Sequence, residues 1–255
     1  METTIRYIFL TAIRDWLFVG LFVAVFLAFG ISLFLGGTAM VEQSQMATSY
    51  IGGSTRVILL IGLIVFVCFH VRRAFENREI EVILSRPISR TAFVVAYWLG
   101  FAVVAMLLIL PLLVCMGIFL PEISLAGLIY WGVSLILESF IVVAFALFAA
   151  LVMRSAVSSV LFCFGFYFIG RMMGFFLYVL DSPGGLRGMD FGTWVGQGLK
   201  FVSAVLPRLD LYAQSKWLVS GIGNDTSYQL FVTQTVIYVP LLLAAALWDF
   251  KHKQF

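Results

Sequence analysis

The chain has 255 residues, 62% of them hydrophobic and 11% charged, with 16 Lys and Arg against 13 Asp and Glu for a formal net charge of +3. Together with a mean hydropathy of +1.07, this excludes a water-soluble globule, and no nucleic-acid partner is expected. Apolar runs longer than the roughly 18 residues that mark a membrane-crossing helix recur along the whole length, so residues 1–255 read as a single all-α polytopic membrane domain.

Before the first run, Ile5, Ile8, Phe9, Ala12, Ile13 and Trp16 fall at helical spacing, with Glu2, Arg6 and Arg14 elsewhere on the wheel. This pattern predicts a helix lying in the membrane interface; a plain run-in to the first span is the simpler alternative. No small-residue cleavage site follows, so no cleaved signal peptide is expected. Spans are predicted at Trp16–Gly36, Thr55–Val71, Phe93–Leu120, Gly127–Met153, Ser158–Leu180 and Leu230–Trp248. The second is the shortest, which predicts a continuation past Val71 that brings Arg72 and Arg73 to the headgroups, with Arg56 snorkelling at the other end.

Between the fifth and last spans, residues 181–229 open with a turn signal, Ser182-Pro183-Gly184-Gly185. Phe191, Val195, Leu199, Val202 and Leu206 then form an apolar stripe, which predicts a re-entrant or surface-lying amphipathic helix ended by Pro207, with a further turn at Gly221, Gly223 and Asn224. Both termini fall on one side of a six-span chain. That side collects Arg6, Arg14, Arg72, Arg73, Arg78, Arg86, Arg90, Arg154, Lys251 and Lys253 close to span ends, so the positive-inside rule puts both termini in the cytoplasm. Arg56, Arg187, Lys200, Arg208 and Lys216 fall on the other side, the last four in one long loop where charge weighs less.

The chain has no GxxxxGK[ST] loop and therefore no P-loop with which to hold ATP phosphates. His70 and His252 have no ligand partners at metal-binding spacing and read as interface residues. Cys68, Cys115 and Cys163 fall inside spans, as small apolar fillers with no disulfide framework. Asn224-Asp225-Thr226 is a sequon in form only. No catalytic, cofactor or metal site is predicted, and the chain is not read as an enzyme.

Two ionisable residues fall where the bilayer is deepest. Counted inward from Gly127 and Leu180 at about 1.5 Å per residue, Glu138 lies roughly 16 Å deep and Arg171 roughly 14 Å, at one depth on consecutive antiparallel helices. One reading is a transport or proton path lined by both charges; the other is a buried ion pair that locks the helices together. The lock is the expectation, because a proton-driven carrier needs more intramembrane acids, and Pro111 and Pro240 do not fall in matching halves as a repeat-built carrier requires.

The densest chemistry lies at 72–92, between the second and third spans, in Phe-Glu-Asn-Arg-Glu-Ile-Glu-Val-Ile-Leu-Ser-Arg-Pro-Ile-Ser-Arg from Phe75 to Arg90. Its charges bar it from hydrocarbon, yet Ile80, Val82, Ile83, Leu84 and Ile88 are too apolar for a solvated loop. Glu76, Glu79 and Glu81 precede Arg86 and Arg90, so a helix here carries its acids early and its bases late, as the macrodipole favours, and Pro87 ends or bends it. An apolar stripe with charged rims suits docking in a groove of a soluble partner. Lipid anchoring by the arginines alone is the alternative, and the interspersed glutamates would oppose it at an anionic leaflet.

Glu79 to Arg90, followed directly by an apolar span, resembles the signature of ATP-binding-cassette (ABC) exporter permeases of the type-2 class. The chain has Arg78-Glu79-Ile80 where many members carry a Gly-Thr pair before the loop-helix Glu. The resemblance implies a membrane subunit whose loop, through Glu76, Glu79, Glu81, Leu84, Arg86, Pro87 and Arg90, couples to a separate soluble ATPase that holds ATP and Mg. It implies pairing with a second permease copy, or a paralogue, in a prokaryotic cytoplasmic membrane. A secondary carrier or channel, or a membrane scaffold using the loop to recruit a partner, are the other classes. With 26 Phe and 9 Met the walls suit an apolar or amphiphilic cargo, although lipid-facing helices need the same residues.

Overall fold

The computed structural model describes residues 15–37, 43–77, 89–120, 123–181, 190–221 and 227–252. The interfacial helix predicted before Asp15 and most of the charged island, including Glu79, Glu81, Leu84, Arg86 and Pro87, lie outside these residues. Among the described residues the chain is all helix and loop. Six helices among these residues are long and apolar enough to cross a membrane. These are α1 (Trp16–Gly37), α2 (Gln43–Glu76), α3 (Arg90–Phe119), α4 (Leu125–Val152), α5 (Ala156–Asp181) and α8 (Ser227–His252). Between the last two come α6 (Asp190–Val205), a 3-10 turn at Leu209–Leu211 and the short α7 (Lys216–Ser220).

α4 is the hub. It packs against α2, α3, α5, α7 and α8. Its apolar residues run all round, so Leu135, Ile141, Val143, Ala146, Leu147 and Ala150 are fully buried on different faces. α1 packs on α2, and the outer faces of α1, α5 and α8 remain apolar and exposed, as lipid-facing helices require.

The second span corrects the sequence expectation. α2 is the longest helix, not the shortest: its 34 residues begin at Gln43 and pass Val71 to end at Glu76. Gln43–Ser54 is polar enough to hide from a hydropathy window, yet Ala47 and Ile51 are buried at helical spacing. The consequence for Arg56 is large. It is not snorkelling at a helix end but stands inside the bundle at 6% exposure.

One end of the bundle gathers the start of α1, the end of α2, the start of α3 and the end of α8. Asp15 takes an ion pair from Arg73 at 3.0 Å and lies 3.7 Å from His70. His70 is buried between Phe66 and Phe101, contrary to its reading as an interface residue, whereas His252 is exposed and donates its Nδ1–H to Trp248 O at 2.7 Å. Ser89 caps α3 by accepting from Ala92 N, and Arg90 turns onto the end of α8, donating to Phe250 O and Lys251 O at 2.9 Å each. A guanidinium there answers the negative pole of α8. Phe66, Phe101, Tyr97, Phe93 and Phe250 continue the contact as a chain of ring pairs from α2 through α3 to α8.

Candidate functional site

α4 aligns Trp131, Ser134 and Glu138 along one face at i, i+3 and i+7. α5 contributes Tyr167 and Arg171 one turn apart, and α2 contributes Arg56. The stretch from Pro207 to Ser220 folds into the space between them, burying Leu209, Tyr212, Ala213, Trp217 and Leu218. From the Asp181 end of α5 to Arg171 the helix rises about 15 Å, so this segment enters the bundle well below the helix ends. α6 itself rests against α5 with Gln197, Lys200 and Phe201 exposed. The amphipathic helix is therefore surface-lying, and the chain re-enters only after Pro207.

An irregular backbone survives at membrane depth only where protein groups satisfy it. Here the cluster supplies them. Arg171 Nη1 donates to Leu209 O at 2.6 Å and Tyr212 O at 3.0 Å, while Arg56 Nη1 donates to Ala213 O at 2.5 Å and Tyr212 O at 3.4 Å. Trp131 Nε1 donates to the same Ala213 O at 3.1 Å, and Ala213 N donates to Ser134 Oγ at 2.8 Å. Ala213 has φ of 41°, in the left-handed region that costs a non-glycine residue roughly 1–2 kcal/mol; these bonds hold it there. Tyr212 closes the far side, its hydroxyl donating to Phe231 O at 2.7 Å and standing 3.1 Å from Thr235 Oγ1.

Close approach also depends on missing side chains. A Cβ on Gly127 would stand 2.3 Å from Trp217 O, and one on Gly174 would stand 2.3 Å from Asp210 Oδ2. On α5, a Cβ at Gly170 would lie 3.0 Å from Pro207 O. The re-entrant segment therefore sits in notches on α4 and α5.

Glu138 and Arg171, named together from sequence, stand 3.9 Å apart between Oε1 and Nη1. Glu138 is fully buried, and neither of its carboxylate oxygens has a hydrogen bond among the described residues. Arg171 directs its short bonds to the re-entrant carbonyls instead. Arg56 meets the same Tyr212 O as Arg171, so a second guanidinium joins the Glu138–Arg171 pair and the centre is a triad of two basic groups and one carboxyl. Arg208 and Asp210 pair with each other at 2.9 Å and add no net charge. Sequence reasoning missed Arg56; the signal that would have found it is the helical spacing of Met46, Ala47, Tyr50 and Ile51, which carries the second helix beyond Thr55.

The coupling residues named from sequence are divided by the described boundary. Glu76 is the exposed last residue of α2, rather than the first acid of a separate loop helix, and Arg90 is bound to the end of α8. Cys68 on α2 and Cys163 on α5 are both buried, the Cys68 thiol standing 3.9 Å from Ala146 O. No group of His, Cys, Asp and Glu placed to hold a metal ion occurs among the described residues.

Compared with known proteins, the chain matches no family model and no curated protein sequence. Its six apolar helices and buried charge triad define it as an all-α polytopic membrane protein.

Proposed function

We propose that this chain is the membrane-spanning permease subunit of an ABC exporter, driven by ATP hydrolysed on a separate soluble ATPase and acting as a pair of permease copies in a cytoplasmic membrane. The observation that carries the reading is the island Glu79–Arg90, set between the second and third spans and followed at once by an apolar helix. The surrounding architecture supports it by giving a docked partner something to move. The island's flanks are tied to both halves of the bundle, through Arg73 and Asp15 to α1 and through Arg90 to α8. α2 runs as one helix of about 51 Å from Glu76 past Arg56, so a displacement at its charged end bears on the re-entrant segment.

Glu79→Lys and Glu81→Lys test the contact. Each reversal is expected to dissociate or uncouple a Walker-loop ATPase that co-purifies with the wild-type chain, leaving membrane insertion intact. ATPase binding and transport retained in both variants would overturn the docking reading. Topology has its own test: with both termini cytoplasmic, a cysteine near Ser182 reacts with an impermeant thiol reagent added to whole cells, and one near Asn77 does not. The opposite labelling would remove the island from the cytoplasm.

The fully buried Glu138, without a hydrogen bond, favours a second reading, a proton-coupled secondary carrier. Transport that continues without ATPase turnover would favour that carrier.

A further inference from the structure

The last helix, α8, is held near both ends by side chains from elsewhere in the chain. At its last turn, Arg90 donates to Phe250 O and Lys251 O at 2.9 Å each, and its guanidinium stands 5.9 Å from the centre of the Phe250 ring. Phe250 is fully buried and stacks on Phe93 of α3, the ring centres 5.3 Å apart and the planes 7° from parallel. Near the other end, the Tyr212 hydroxyl donates to Phe231 O at 2.7 Å and stands 3.1 Å from Thr235 Oγ1. From Phe231 to Phe250 the helix rises about 28 Å.

Both holds lie on one face. Phe231, Thr235, Val239, Leu242, Ala246 and Phe250 form a single buried stripe, and α8 packs along α4. The helix runs through Pro240 without a break, although the ring gives Val236 O no N–H. Packed in this way, α8 has little room to deform locally, and a shift at one end is carried to the other.

The two holding residues connect regions of different kinds. Arg90 is the last residue of the charged island and the first of α3, so its bonds cross from the island's exit to α8. Carbonyls in a last helical turn have no N–H partner within the helix, and the guanidinium supplies two of them. Tyr212 belongs to the re-entrant segment, and its own carbonyl takes Arg56 and Arg171. We propose that α8 is a relay: Arg90 is a positioning residue that ties the helix to the island, and Tyr212 ties the re-entrant segment to the same helix. Only the source of the movement, a docked ATPase, rests on the exporter reading.

A local cap and a relay differ in how far the loss of one bond is felt. Hydrogen exchange of the full chain in phosphatidylcholine nanodiscs, read by mass spectrometry, separates them. Arg90→Gln is expected to speed exchange at least threefold in residues 246–252 and also in residues 209–213, which Arg90 does not touch. Arg90→Lys keeps a charged donor for the two carbonyls and should stay close to wild type at both places. Tyr212→Phe removes only the hydroxyl and is expected to speed exchange in 246–252, so it decides the matter if Arg90→Gln fails to fold. Faster exchange confined to the mutated end in either variant leaves a local cap and overturns the relay. Unchanged exchange in 246–252 with Arg90→Gln overturns the hold itself. Exchange is measured on this chain alone, so its failure leaves the exporter reading standing, whereas ATPase binding retained in Glu79→Lys and Glu81→Lys removes the motor and leaves the relay.

Discussion

Glu138→Gln is expected to destabilise the detergent-purified protein by about 3–5 kcal/mol, read as a lowered melting temperature, because it leaves Arg56 and Arg171 buried without their counter-charge. Arg171→Met should cost a similar amount for a different reason. It removes the donor to Leu209 O and Tyr212 O and so loosens the re-entrant segment. In a two-member lock the double variant would recover most of the loss, since replacing both partners of a buried pair by apolar groups can be nearly neutral. The triad changes that expectation. With Glu138→Gln and Arg171→Met combined, Arg56 is still charged and uncompensated, so recovery should be partial. Full recovery would show that Arg56 is not coupled to the pair. Single variants as stable as wild type, with transport lost, would reassign the cluster to a substrate or proton path.

Gly127→Ala is the second large effect expected. The added methyl would meet Trp217 O at 2.3 Å and Trp217 C at 3.4 Å, and both are backbone atoms that cannot rotate away. Overpacking of this kind costs about 1–3 kcal/mol, here through displacement of α7 and the segment before it. Gly53→Ala is the matched control. A Cβ there meets nothing within 4 Å, so the same change in the interior of α2 should be neutral or stabilising by about 0.5–1 kcal/mol. If the two variants melt alike, the re-entrant segment does not press on α4 as the packing indicates.

The six membrane-spanning helices were legible in the sequence because each contains an apolar run that water excludes whatever its neighbours do. Five of them begin within a few residues of the predicted positions. The sixth, α2, was misjudged at its start because hydropathy averages over a window, and a half-polar stretch such as Gln43–Ser54 reads as loop until its buried stripe is counted separately. Arg56 was misassigned by the same step, since a cation beside an apolar run reads as an anchor when the helix is thought to end there.

That Glu138 and Arg171 come to one level of the bundle was also legible in the sequence, from rise per residue alone. What each charge binds did not. Pro207 to Ser220 carries Pro, Arg, Asp, Gln, Ser and Lys and by composition belongs outside the membrane. Its burial is decided by hydrogen-bonding side chains from three other helices, the donors Arg56 on α2, Trp131 on α4 and Arg171 on α5 and the acceptor Ser134 on α4, each meeting a carbonyl or amide far away in the chain. Local composition encodes whether a segment can cross hydrocarbon unaided. Whether a polar segment can re-enter it depends on hydrogen bonds between residues distant in sequence, and those exist only once the helices have packed.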